Sequence, residues 1–424
     1  MTAFGLGVCC GIRQLVVVAG GTGVLLYDEQ IIAGKIGKTV ATDLQSRFRL
    51  GYRPALDGVR GISILAVMWV HGGLFWFGRG GFLGVDIFFV LSGFLITTLL
   101  IQEWEQSESI SFGSFYIRRG LRLLPPLFVL IMASLVVAAI YPEPDGFVAK
   151  SKSILVALFY LANWLPVYHA LFHTWSLGIE EQFYIVWPFL LFLLLRPKLN
   201  RRAVVLIMVA GVAVIAYHRA LLWQHGGDPV RVYTGLDTRA DSLLIGGIIG
   251  ALISWNMIPR KRWLLSALRV IAVLSIFGMA FFIITIPSIS PFLYYGGYTL
   301  IAVMVASVIT NLFYAPLNVI TSVLELPALR WFGRLSYGLY LWHFPVYRAY
   351  DFLFPTFPVK SYTLSIFIPF IFKFTLAVLV ATVSFYVIEQ PALRLKKRFR
   401  AISSKNERAG AVRLAVATGG GNQD

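Results

Sequence analysis

Charged side chains are scarce in this chain of 424 residues. Only 13% are Asp, Glu, Lys or Arg, about half the roughly 25% of ordinary soluble domains. That deficit excludes a chain whose surface mostly faces water. Cysteine is nearly missing as well. Cys9 and Cys10 are the only two, adjacent and near the N-terminus, which excludes a disulfide framework and leaves no metal-site pattern. There is no series of short alternating segments, as a membrane β-barrel requires. There is no basic stripe interleaved with aromatics, so nucleic acid is not an expected partner. No internal repeat is visible.

What fills the chain is hydrophobic: 58% of residues are apolar and the mean hydropathy is +0.75. Apolar runs of about 20 residues recur, each long enough to cross roughly 30 Å of hydrocarbon. The composition implies an all-α fold, a polytopic membrane helical bundle. Eleven apolar stretches stand out, at about 61–77, 81–101, 123–141, 152–168, 176–195, 203–222, 241–256, 263–286, 293–313, 335–354 and 364–388.

The net charge of +17 is read through the positive-inside rule. If all eleven stretches crossed, the basic runs RPKLNRR (196–202), PRKR (259–262) and RLKKRFR (394–400) would lie outside. If 152–168 dips in without crossing, every basic run lies inside. That segment carries Asn163, Pro166, His169 and His173 at or near its end, polar enough for a re-entrant or outer-face piece buried against protein. The expectation is therefore about ten crossings with both termini cytoplasmic. Residues 1–52 form an extension of open role; its apolar piece LVVVAGGTGVLLY (15–27) suits a poor signal segment, a peripheral helix or a functionless leader. Residues 53–398 form the membrane domain. Residues 399–424 are a polar, Gly-rich tail expected to be disordered.

Ionisable residues inside a bilayer are costly and are functional candidates by default. His71 lies within the first span, eleven residues after Arg60, roughly 16 Å along a helix. Asp86 lies early in the second span. Counted from the intervening loop the two are at similar depth, so Asp86 is expected to orient the His71 imidazole as a general base. The plainer alternative is a structural histidine bonded to a neighbouring helix. RRGLR puts Arg118, Arg119 and Arg122 at the mouth of the third span, suited to a polyphosphate ligand or to simple anchoring. HTWSLGIEEQFY puts His173, Glu180 and Glu181 at the expected outer boundary of the next crossing. His343 lies inside a later span, where a packing role is the plainer one. Asp237, Arg239 and Asp241 suit an ion-pair cluster.

RPALDGVRGISILAVMWVH, GGFLGVDIFFVLSGFLIT, YIRRGLRLLPP, HTWSLGIEEQFYIVWP, GRLSYGLYLWHFPV and VIEQPALRL follow in this order. As a set they resemble the acyltransferase-3 family of membrane acyltransferases over about 53–398. The resemblance implies transfer of an acyl group, usually acetyl, from cytoplasmic acyl-CoA to a hydroxyl of a glycan or lipid-linked sugar, in a bacterial inner membrane. Some members modify macrolide-type products instead. The family's arginine–histidine signature falls on Arg60 and His71, its arginine motif on Arg118, Arg119 and Arg122, and its acidic motif on Glu180 and Glu181. The resulting expectation assigns catalysis to His71, Asp86 and Glu180. Acyl-CoA is held by Arg60 and the three arginines of RRGLR, and the acceptor side is His173, Glu181 and His343. No metal is expected. A transporter without chemistry is the rival class.

Overall fold

The computed structural model describes residues 14–16, 26–28, 48–74, 78–140, 146–167, 169–197, 199–354 and 362–394. The chain divides into two compact units, Met1–Arg49 and Leu50–Asp424. In the first, strands β1 (Gln14–Val16) and β2 (Leu26–Asp28) pair antiparallel, with Leu15 opposite Tyr27. The two ends of the apolar piece 15–27 are thus strands rather than parts of a peripheral helix. The tail 399–424 lies outside the described residues.

The second unit is helical, with no strand among its described residues. It is a multi-pass membrane protein. Seven helical stretches are long and apolar enough to cross a bilayer: Gly81–Ser107, Phe112–Ile140, Ala170–Leu195, Arg201–Gln224, Arg262–Thr285, Leu293–Tyr314 and Ser365–Arg394. The remaining three of the ten expected crossings correspond to α1 (Pro54–His71), a helix over Leu236–Ser254 and one over Pro327–Leu353. These three carry polar and charged residues that dilute their hydropathy. Those residues are affordable because the helices are shielded: Asp241, Arg239 and His343 are all 0% exposed.

Helix α1 starts at Pro54, where proline's fixed φ suits the first helical position, and stops at His71. The stop is built by Gly72 and Gly73; Gly73 adopts φ +93°, a conformation that favours glycine. His71 is therefore the last residue of its helix, further toward the end than its expected place past the middle of the first span. Helix α2 (Gly84–Ser107) returns antiparallel. Helix α3 (Phe112–Ile140) begins eleven residues before the expected span, which makes RRGLR helical. Helix α4 (Gly146–Leu158) has only 13 residues, about 20 Å, too short to cross. The chain after it is tied to α5 (Trp175–Leu195) by Gln182, whose Nε2 donates to Asn163 Oδ1 and to the Tyr160 carbonyl, both at 2.8 Å.

The remaining elements are α6 (Arg201–Gln224), α7 (Pro229–Thr234), α8 (Leu236–Ser254), α9 (Arg262–Thr285), α10 (Tyr298–Tyr314), α11 (Asn318–Leu324), α12 (Pro327–Leu353) and α13 (Tyr362–Ser384). The closest helix pairs are α2 with α8 and α1 with α12. Both rest on small residues. A Cβ on Gly93 would strike the Leu243 carbonyl, and one on Gly333 would strike the Asp57 carbonyl. Without a hydrophobic drive between helices in lipid, such close backbone packing is what holds them. Helix α2 is central, with 83% of its membrane window buried, against 11% for the peripheral α9.

Candidate functional site

Helices α1, α3, α5 and α12, with the 3-10 turn His169–Thr174 before α5 and the π-helical turn Phe385–Glu389 after α13, bring together two polar clusters. At one end of α1 lies a mixed cluster of arginines and carboxylates. Arg119 Nε and Nη2 both donate to Glu181, at 3.1 and 2.9 Å. Its guanidinium carbon stands 3.2 Å from the centroid of the Tyr184 ring. Arg119 and Arg122, three residues apart on α3, share a helix face. Arg122 is within electrostatic reach of Arg60, Arg119 and Glu389. Arg60 feels Glu180 and Tyr184, and its buried Nε makes no hydrogen bond. Glu180 accepts from Ser92 Oγ at 3.2 Å. A cavity of about 140 Å³ opens beside Arg119 and Glu181, walled by Tyr116, Tyr160, Tyr184 and Ile185.

The second cluster is made of imidazoles. His343 Nε2 lies 3.2 Å from His71 Nδ1, and the His173 ring is centred 5.5 Å from that of His343. The Phe344 ring packs against both His71 and His173. His173 Nε2 faces the Leu341 carbonyl at 3.2 Å, while its Nδ1 is buried without a partner. His71 is half-buried, whereas His173 and His343 are 2% and 0% exposed. Tyr340 spans the interval between the clusters: its hydroxyl donates to the His173 carbonyl at 2.9 Å and lies within electrostatic reach of Glu180. Among the described residues, no group of three or more His, Cys, Asp or Glu is arranged to hold a metal ion.

Several expectations are corrected by this geometry. Asp86 does not meet His71. It is fully buried and accepts from Arg239 Nη2 at 2.8 Å and from Ser242 Oγ at 3.4 Å. The reason is register: α2 begins level with the middle of α1, since a Cβ on Gly84 would strike the Ser63 carbonyl. That places the start of α2 eight residues, about 12 Å, from the His71 end of the helix. Glu181, expected on the acceptor side, sits with Arg119 instead. Glu180 is the eleventh residue of the helical stretch Ala170–Leu195 rather than at its start. Arg118 leaves the cluster and pairs loosely with Glu103 at 3.7 Å. His173 and His343, by contrast, both join His71.

Two residues escaped sequence reasoning. Glu389, 4% exposed, closes the arginine cluster from a π-helical turn, Phe385–Glu389, after α13; such turns recur at functional sites. Its signal was a lone carboxylate at the end of an apolar run. Arg219 is fully buried and bonds Asp241 Oδ2 at 2.9 Å and the Thr238 carbonyl at 2.8 Å. Its signal was an arginine beside His218, well inside a 24-residue helix whose other arginines, Arg201 and Arg202, are at its start.

A family model described as an acyltransferase domain matches residues 53–389, covering every element of both clusters. The chain belongs to the acyltransferase-3 family. Proteins similar to this chain include the peptidoglycan O-acetyltransferase OatA of Listeria monocytogenes, 33% identical over 362 residues, covering 82% of this chain and 56% of that protein. The putative peptidoglycan O-acetyltransferase YrhL of Bacillus subtilis is 34% identical over 361 residues, covering 80% and 55%. A putative O-acetyltransferase of Staphylococcus aureus, SAS0844, is 33% identical over 365 residues, covering 81% and 58%. The chain thus spans little more than half the length of these relatives. No solved structure matches this acyltransferase-3 chain.

Proposed function

We propose that this protein is a membrane O-acyltransferase that moves an acyl group, acetyl by analogy with its relatives, from acyl-CoA to a hydroxyl of a cell-envelope glycan. On this reading it sits in a bacterial inner membrane with both termini cytoplasmic. The donor enters at the arginine end of α1, and the acceptor arrives at the histidine end.

The observation that carries the reading is the pairing of two chemistries on one helix. Arg60 and His71 are eleven residues apart on α1, about 16 Å, a span that a pantetheine arm bridges. At the first end, Arg60, Arg119 and Arg122 are balanced by Glu180, Glu181 and Glu389. Arg119 is already engaged by Glu181, so Arg60, with an unpartnered Nε, and Arg122 are the groups left to meet phosphate. At the second end, His71 is the most accessible imidazole of its cluster, and it takes the hydroxyl proton or the acyl group itself. Glu180, near Arg60, tunes the charge of the donor end rather than acting on the acceptor.

Replacing His71 with Ala is expected to lower base-labile acetate on envelope glycan by at least about 100-fold, the usual scale of a lost general base. The check is ester acetate released from glycan of cells expressing each form at matched protein level. An unchanged acetate yield removes the catalytic assignment.

A further inference from the structure

We propose that His343 is a positioning residue that fixes which nitrogen of His71 carries the proton, so that the accessible side of that ring is a base. The proposal rests on the reading of His71 as the base. It begins with hydrogen-bond inventory. The carbonyls of Leu339 and Tyr340 face Nδ1 of His343 at 3.1 and 2.8 Å. A carbonyl only accepts, so Nδ1 of His343 carries the ring proton and donates. A neutral imidazole holds one such proton, which leaves Nε2 of His343 as a bare lone pair.

That lone pair stands 3.2 Å from Nδ1 of His71. The proton of His71 therefore sits on Nδ1, facing the His343 lone pair. Nε2 of His71 is left bare, and it alone is available to a hydroxyl. The carbonyl anchors of His343 lie three and four residues before it on α12, so the device is built into one helix turn and needs no loop. His343 is completely buried while His71 is not. His343 thus acts through its neighbour rather than on substrate.

A neutral ring in this place does something a carboxylate would not. In a low-dielectric interior a carboxylate would trap the imidazolium in a strong ion pair. A lone pair steadies it by one hydrogen bond and lets the proton leave again. The cycle then closes on itself. The acceptor hydroxyl gives its proton to Nε2 of His71 as its oxygen attacks the carbonyl carbon of an acyl thioester. The carbon–sulfur bond breaks, the departing thiolate takes the proton from Nε2, and the ring returns to its Nδ1-protonated form. The ester and a free thiol are the products.

The test uses the full chain in membrane vesicles, with acetyl-CoA and glycan strands as probes and thiol release as the readout. His343→Gln places an amide oxygen about where Nε2 stands and keeps an acceptor for His71. His343→Phe keeps the ring's bulk and removes the acceptor. The Phe variant is expected to lose about 100-fold in kcat at unchanged KM for acetyl-CoA, because the base is then free to turn its protonated nitrogen toward substrate. The Gln variant is expected within about fivefold of the parent, since one neutral hydrogen bond replaces another. Wild-type kcat in the Phe variant overturns the proposal while leaving the His71 reading intact. Equal loss in the Phe and Gln variants also overturns it. Wild-type thiol release in His71→Ala removes the underlying reading, and the proposal with it.

Discussion

Asp86 is the buried counter-ion of Arg239, whose guanidinium also stacks 3.5 Å from the Tyr298 ring centroid. A second buried pair, Arg219 with Asp241, stands on the neighbouring helix turn, with Thr299 Oγ1 donating to Asp241 at 2.6 Å. Removing one partner of such a pair leaves an uncompensated charge, at a cost of roughly 3–5 kcal/mol. Asp86→Ala is therefore expected to lower thermal stability in detergent markedly. The double variant Asp86→Leu with Arg239→Met is expected to recover much of it, because two apolar groups need no desolvation. Melting curves of the single and double variants check this. A catalytic Asp86 would instead give a stable protein without activity. The expected meeting of Asp86 with His71 does not occur because the distance between them depends on where the returning helix begins. Arg60, His71, His173 and His343 were legible because a basic or imidazole group in an apolar run is itself the signal.

At the scale of helices, hydropathy located the seven apolar ones, although α3 begins eleven residues before its apolar run, while the three with more buried polar groups were not fully bounded by it. Helix α1 is shorter at one end and longer at the other than its apolar run, because its polar first turn is buried beside α12 rather than excluded from helix. Packing of these helices depends on backbone approach at glycine. Gly246→Leu on α8 would force a side chain into the Val90 carbonyl of α2. It is expected to cost at least about 1–3 kcal/mol, the range for overpacking. Gly113→Ala on α3, with nothing within 4 Å of the added carbon, is expected to be neutral or slightly stabilising. Thermal unfolding of the two variants side by side checks the contrast, and equal behaviour contradicts the packing account.

At the scale of the whole unit Leu50–Asp424, buried polar groups are surrounded by apolar helices. Helices α9 and α13 present large side chains such as Phe277, Phe281, Ile371 and Leu379 outward, where lipid replaces water. Arg239 and Asp241 of α8 and His343 of α12 are buried, and each meets a polar partner on another helix. Orientation across the membrane follows from the basic loops. If both termini are cytoplasmic and α4 does not cross, the turn between α5 and α6 lies inside. Leu199→Cys, at a 41% exposed position in that turn, in a background with Cys9 and Cys10 replaced, is expected to resist an impermeant thiol reagent in intact cells. It is expected to react after permeabilisation. Labelling in intact cells contradicts the orientation.

The sequence by itself determined that this chain is a helical membrane protein, which residues are too polar for lipid, and that Arg60 and His71 share a helix. Those properties depend on composition and on spacing within one element, and both are local. Only the tertiary structure decided that Asp86 belongs to Arg239, that Glu181 belongs to Arg119, and that His343 stands beside His71. Partnership between helices is set by their register and depth. A shift of two turns in a hairpin moves a side chain by about 11 Å, and nothing in the linear order fixes that shift.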